Sequence, residues 1–417
     1  MAKTLLGSKK NKIVFLLTQD LQSPSGLGRY FPIAKALTSP EQEIVILALH
    51  SNFYELTGKD AIREGVRVKY VGQMHVLKKG NKTTYFKPLK LLWVTFVGTV
   101  SLLFNTLRES PIVLILGKPH PMNGVAGSLV KLFQKPTVIL DCDDYEAASN
   151  HFGNKTQFKI VKWFEDNLPR MANWVTSNTH FTRQRLIGLG ISPEKICYIP
   201  NGVDLDGFLP ADQDKVDQLR ATLTLNGKKV IGYLGSLNLE NHPVNLLIDS
   251  LPRIKRDVPN CRLLIVGGGK DLDLLKRQAE DLGVAESVSF TGRVPADQIH
   301  LYYQLCDVTI DPVLDDDAAR GRCPLKMFES WASGIPFLTM DVGDRRLLAG
   351  DPPAAVIIPP GSSEELSKAV IDLLNDQEKT AALVESGLSK ARDYSWHKII
   401  NEPARIFIRT GGKSCPK

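Results

Sequence analysis

Residues 321–340 read GRCPLKMFESWASGIPFLTM, and this stretch decides the fold class. Pro324 suits the first position of a helix, because its missing N–H is one that a helix start leaves unpaired anyway. Gly334 suits the position just past the end, where φ turns positive. Between them Leu325, Phe328 and Ala332 fall at i, i+3 and i+7 and predict one buried stripe. Lys326 and Glu329, three residues apart, share one helix surface. Residues 335–340 are short and apolar, which predicts a buried parallel strand. A helix start carrying glycine and basic residues favours an anion such as phosphate. A carboxylate one turn further along can accept the protons of two ribose hydroxyls. Together these features predict a nucleotide pocket; the alternative is an ordinary amphipathic helix of an α/β domain.

Outward from that stretch, the chain alternates strand and helix patterns. In the first half, apolar runs at 12–18, 43–49, 66–72, 111–118, 136–144 and 174–179 are separated by helical patterns, including 86–107 and 124–133. The second half restarts the alternation with strands at 229–237, 261–269, 287–294 and 307–313. Such spacing predicts βαβ units and parallel sheets. Pro, Asn and Gly punctuate residues 199–210, a natural crossing between two halves. In a pair of doubly wound sheets, ligands bind beyond the carboxyl ends of the strands, which here means the gap between the halves.

Glu329 followed by Ser-Trp-Ala-Ser-Gly, together with Gly321, Pro324 and Lys326, resembles the donor-site helix of retaining glycosyltransferases of the GT-B fold, in the large group 1 (family 4-like) class. Gly321 stands where many members carry a first Glu, and the chain fits the Gly-x-x-Pro-x-Lys-x-x-Glu form instead. Pro200 to Asp204 also match the family's interdomain segment, Pro-Asn-Gly-Val-Asp. The resemblance implies two facing Rossmann-like domains with a cleft between them: 1–198 on the acceptor side, 199–395 holding the nucleotide sugar, and 396–417 as a helix returning to the first domain. It implies transfer of a sugar, with retention, from a nucleotide-sugar donor (UDP-linked in this reading) to an acceptor hydroxyl. Neither metal nor other cofactor is expected.

The same resemblance distributes roles. Glu329 anchors ribose. Lys326, Arg322 and the amides of Gly26 and Gly28 stabilise phosphate. Gly235 and Ser236 lie beside the diphosphate, and Arg293 marks a base-recognition turn. Asp143 or Asp144, at the end of a strand, positions sugar or acceptor; the plainer alternative is an N-cap for the next helix. The chain departs from the family at Ser236 and His242, where an Arg and a Lys customarily grip the diphosphate. That departure motivates a second reading, a non-catalytic protein of the same fold that binds a sugar nucleotide or assembles at a membrane.

Composition bounds the remaining partners. Residues 1–200 carry 26 Lys and Arg against 14 Asp and Glu, a net +12, whereas the rest of the chain is −5. This asymmetry predicts a first domain that faces a lipid-linked or polyanionic acceptor, or a membrane surface. Nucleic acid is disfavoured, because the aromatics of the basic half lie mostly in apolar segments. The uncharged run 91–107 is diluted by Thr, Ser, Gly and Asn and predicts a buried helix of the first domain; shallow insertion at a membrane interface is the alternative. Six cysteines without short spacings predict thiols in a reducing compartment. With no leader pattern, the expected place is the cytoplasm, at the inner membrane surface.

Overall fold

Runs rich in Val, Ile and Leu pair into parallel sheets because both of their faces are covered by helices. The computed structural model describes residues 11–23, 26–79, 82–150, 152–208 and 212–400. In its first half the strands are β1 (Asn11–Leu17), β2 (Gln42–His50), β3 (Asp60–Arg63), β4 (Val66–Gln73), a separate hairpin of β5 (Val76–Lys79) and β6 (Lys82–Tyr85), then β7 (Val113–Gly117), β8 (Thr137–Cys142), β9 (Trp174–Ser177) and β10 (Ile196–Tyr198). The sheet order is β10-β9-β8-β7-β1-β2-β4-β3. Every pairing in it is parallel except that of β3 with β4.

The second half adds β11 (Lys229–Leu234), β12 (Cys261–Val266), β13 (Val288–Gly292), β14 (Val308–Asp311), β15 (Phe337–Met340) and β16 (Val356–Ile358), in the order β13-β12-β11-β14-β15-β16. The order reverses between β1 and β7 in the first sheet and between β11 and β14 in the second. Crevices at the carboxyl ends of those pairs are where a doubly wound sheet receives ligands. The fold is α/β, two Rossmann-like sheets facing across a cleft. Near the end of the chain, Trp396 and Ile400 are buried in the core of the first sheet beside Ile13 and Phe15. Residues 401–417, most of the expected returning helix, lie outside the described residues.

The helices that matter for the first domain are α1 (Phe31–Ala36), α2 (Pro88–Glu109), α3 (Pro121–Gln134), α4 (Glu146–Ser149) and α5 (Lys155–Met171). A short π-helical turn, Gly26–Tyr30, leads into α1. The expectation of a buried helix over 86–107 is corrected: α2 buries only Val94, Gly98, Leu102 and Thr106 and exposes Leu89, Leu92, Trp93 and Phe96. Cys142, Cys261, Cys306 and Cys323 are free and buried.

Candidate active site

The helix Leu325–Ala332 begins after Pro324, whose extended backbone (φ −75°, ψ 112°) makes it the cap and not the first helical residue. Its buried face is Met327, Phe328 and Trp331, so the predicted stripe through Leu325 and Ala332 is displaced. Leu325 is instead at the tip, against the first domain: a Cβ built on Gly28 would lie 2.5 Å from its Cδ1. The tip of this helix therefore points at the gap between the two sheets.

Lys326 reaches the end of β11. Its Nζ donates to Asp311 Oδ1 at 2.8 Å, lies 4.3 Å from the Tyr233 ring centre, and would be 3.1 Å from a Cβ on Gly235. Absence of a side chain at Gly235 is what lets the ammonium approach the backbone. Asp311, the last residue of β14, also accepts a bond from Arg345 at 3.1 Å. Burial alone would raise the Asp311 carboxyl, but Lys326 and Arg345 outweigh it and hold it ionised, well below the usual range. Arg345 is completely buried and also donates to the carbonyls of Val342 (3.0 Å) and Ala319 (3.3 Å), bracing the loop that precedes the helix. One turn beyond Lys326, Glu329 Oε2 accepts the Tyr303 hydroxyl at 2.7 Å. Burial raises the Glu329 carboxyl, against the opposing pull of Tyr303 and Lys326.

His242 stands where the family customarily carries a cation. It is half-buried, and its Nδ1, itself shielded from solvent, has no hydrogen-bond partner among the described residues. Burial, then Lys326 and Arg322, push its pKa well below that of an ordinary imidazole, so it is neutral. Ser236 is exposed, and its carbonyl accepts the Tyr233 hydroxyl at 2.8 Å. Arg322 donates to the carbonyl of Asn241 at 3.0 Å, and Asn241 reaches across to the Ser149 carbonyl of the first domain at 3.1 Å. Arg293 follows β13 and is exposed.

On the facing side, Thr18 follows β1 and Lys118 follows β7, flanking the first sheet's switch point. Lys118 Nζ lies 2.6 Å from Glu146, 2.8 Å from Asp144 and 3.2 Å from Asp143. His120 joins Glu146 at 2.9 Å through Nε2 and Thr18 at 2.7 Å through Nδ1. Burial would raise Glu146, but Lys118 and His120 hold it well below the carboxylate range. Asp143 is buried, and that burial pushes its pKa up to about 7 despite Lys118. Asp144 is half-buried, the more accessible of the two predicted carboxylates. The carboxylates of Asp143, Asp144 and Glu146 lie close enough together to ligate one cation, but Lys118 occupies their midst.

The two sides are tied by a relay. Asp141, at the end of β8, accepts Arg29 Nε at 2.8 Å; Arg29 donates to Asn201 Oδ1 at 2.9 Å; Asn201 Nδ2 donates to the Cys323 carbonyl at 2.8 Å. The glycine-rich turn, the interdomain segment and the donor-helix loop are thus one hydrogen-bonded unit. Gly26 serves the turn itself. Its amide donates to Ser23 Oγ at 3.1 Å. Asp311, Arg345, Lys118, Glu146 and Arg29 were not singled out by sequence reasoning. The available signal was position: Lys118 and Asp311 stand at the ends of the strands that flank the two switch points.

Comparison with known proteins bears on the family and the fold. Residues 215–390 match the family model of glycosyl transferases group 1, and residues 120–206 that of glycosyltransferase family 4. The GDP-mannose-dependent alpha-(1-6)-phosphatidylinositol monomannoside mannosyltransferase of Mycolicibacterium smegmatis is 31% identical over 255 residues, 60% of this chain and 66% of that protein. The D-inositol 3-phosphate glycosyltransferase of Segniliparus rotundus is 27% identical over 209 residues, 49% and 44% of the two chains. The matches thus span from under half to about two thirds of these relatives' lengths. Among solved structures, Anabaena Alr3699/HepE in complex with UDP and glucose superposes with a TM-score of 0.72 at 19% identity, covering 95% of this chain and 99% of that one. WaaG, a glycosyltransferase involved in lipopolysaccharide biosynthesis, gives 0.67 at 14% identity over 95% and 100%. With the family models falling on both facing sheets and the fold shared along nearly the whole chain, the protein belongs to the group 1 glycosyltransferases of the GT-B fold.

Proposed function

We propose that this protein transfers a hexose from a nucleoside diphosphate sugar to a hydroxyl of a glycolipid-type acceptor, with retention at the anomeric carbon. The observation that carries the reading is the placement of Lys326 and Glu329 on one helix, the first beside Gly235 and the second a turn away, with the helix tip against Gly28. In this reading Glu329 Oε1 accepts the ribose hydroxyls while Tyr303 holds Oε2. Lys326 and Arg322 face the diphosphate, and the unpartnered Nδ1 of His242 is available to a ligand. As the bond from C1 to the diphosphate oxygen breaks, the acceptor oxygen bonds C1 from the same face. The departing diphosphate takes the acceptor proton, and Asp144 orients the incoming hydroxyl or the sugar.

The donor sugar and base rest on the relatives' names. These favour GDP-mannose over the UDP-linked donor expected from the sequence. A neutral His242 and an uncharged Ser236 leave fewer cations at the diphosphate than the family customarily has, which supports the second reading, a nucleotide-binding protein without turnover. Incubation with GDP-mannose, UDP-glucose and UDP-N-acetylglucosamine, with nucleoside diphosphate release as the readout, separates the two. Release from GDP-mannose at a rate abolished by Lys326→Ala supports the enzyme; tight binding with no release from any donor supports the module. Proton NMR of the first-formed product reads retention directly, and an inverted anomer would refute it.

A further inference from the structure

Helix α2 is apolar on its solvent side as well as on its packed side. Its protein-facing side is a narrow stripe in which Val94 and Leu102 enter the core, Gly98 sits against Met122 and Thr106 is buried, while Ser101 Oγ donates to the Val71 carbonyl at 2.5 Å and Asn105 accepts from Lys69 at 2.9 Å. Its outer side is apolar and aromatic, with Leu89 84%, Leu92 68%, Trp93 65% and Phe96 61% exposed. These four residues fall at i, i+3, i+4 and i+7, a single face. Scattered exposed apolar residues need no partner, but a continuous face of this size does.

Further exposed aromatics stand on the neighbouring helices. Helix α3 packs against α2 and α5 packs against α3. On those neighbours Phe133 is 66% exposed and Trp163 60% exposed. Basic residues border the patch. From Gly65 to Arg108 the chain holds eight Lys and Arg and no Asp or Glu, and Lys155 and Lys159 open α5. Lys87, Lys90, Lys155 and Lys159 are all exposed. Helix α2 precedes β7 and so runs antiparallel to the sheet, whereas α5 follows β8. Both therefore place their first turns, with these lysines, at the carboxyl ends of the strands, on the rim of the cleft.

We propose that the outer face of α2, together with the exposed aromatics of α3 and α5, docks on an anionic lipid bilayer, with its aromatic side chains in the interface and its lysines among the headgroups. An apolar helical face flanked by Lys and Trp is the composition that lies in a membrane interface plane. Although α2 has 22 residues, it is packed along the sheet and held at its end by Lys12 to Glu109 at 2.7 Å, so it lies on the surface and does not cross it. A second copy is the poorer occupant, because a two-fold contact sets this basic border against itself. Docking here brings the cleft rim to the headgroup layer, where a lipid-borne hydroxyl would be met. The proposal stands without the donor assignment, since docking needs no nucleotide.

The test is flotation of the full chain with vesicles of phosphatidylcholine alone or mixed with phosphatidylglycerol, for the wild type, Leu89→Ser/Trp93→Ser/Phe96→Ser and Lys87→Glu/Lys90→Glu. Partition onto the anionic vesicles, weakened by salt and reduced about tenfold or more in each variant, is expected. Because the substituted side chains are exposed, melting temperatures should stay within about 2 °C of wild type. Should the triple variant fail to fold, quenching of wild-type tryptophan fluorescence by bromine-labelled acyl chains reads insertion instead. Absence of vesicle binding, equal binding by all three proteins, or a concentration-dependent dimer lost only in the triple variant would overturn the proposal. Nucleoside diphosphate affinity, measured without vesicles on the same proteins, reports separately on the donor site.

Discussion

Lys326 and Asp311 form an ion pair at 2.8 Å in which Asp311 is simultaneously held by Arg345 at 3.1 Å, so one carboxylate at the end of β14 orients two cations. Lys326 is thereby fixed beside Gly235 and not free to swing. Lys326→Ala removes a charged donor from the expected diphosphate position, a loss of about 1.5–3 kcal/mol, or roughly tenfold to 150-fold in affinity. Calorimetric titration with a nucleoside diphosphate measures it. Asp311→Ala strands Arg345 in the core and should destabilise the fold by about 3–5 kcal/mol in denaturant unfolding, a different outcome from that of Lys326→Ala.

Arg29 is the hub of the interdomain relay and is 1% exposed. Arg29→Ala leaves Asp141 buried without its partner, and an uncompensated buried charge costs about 3–5 kcal/mol. It also frees Asn201 from one side, so the Cys323 loop loses part of its tether. Unfolding in urea should show the lower stability, and the residual folded protein should bind nucleotide more weakly than wild type.

The acidic cluster makes stability depend on pH. Asp143 and Glu165 are both pushed up to about 7 by burial. Between their ordinary values and about 7 the folded protein holds protons that the unfolded chain has released, so stability falls as pH rises through that window. Glu146 acts oppositely, gaining stability with rising pH only in the acid range below its ordinary value. Asp143→Asn removes one of the two raised carboxyls while keeping its shape. Melting temperature should therefore decline less steeply between pH 5 and pH 8 than in wild type, and an unchanged slope would place Asp143 outside the effect.

Gly267 has φ +142°, and a Cβ there would sit 1.8 Å from the Gly235 carbonyl oxygen. Gly267→Ala must push the end of β11 away from Lys326, since the obstacle is backbone and cannot rotate aside. Loss of stability with loss of nucleotide binding is expected, read by thermal unfolding with and without nucleoside diphosphate. Gly283, also at positive φ (+65°) but facing open space, serves as the control. Gly283→Ala should lower stability while leaving the nucleotide-induced shift intact.

Most of the parallel strands were legible because their apolar runs are continuous and bounded by turn residues; β1, β2, β7 and β8 fall within a residue or two of the expected ranges. The short edge strands β3 and β16 and the β5–β6 hairpin were not, since four or fewer residues carry no period. Helix α2 was misread for a physical reason: an uncharged run looks buried unless its polar residues are placed first. Val94, Gly98, Leu102 and Thr106, spaced by four, were the sign that the inner face is a single narrow stripe. At the site, Lys326 and Glu329 were visible from their spacing on one helix. The Asp311–Arg345 pair was not, because residues 34 positions apart meet only once the strand Phe337–Met340 pairs with β14 and brings the start of the helix Arg345–Ala349 to its end.

The most direct test is calorimetric titration of wild type and Glu329→Ala with GDP and UDP. Saturable binding of one diphosphate by the wild type is expected, weakened about tenfold or more in the variant as the ribose loses a charged acceptor. Equal affinity in the two proteins, or binding of neither nucleotide by the wild type, would refute the donor site at Glu329.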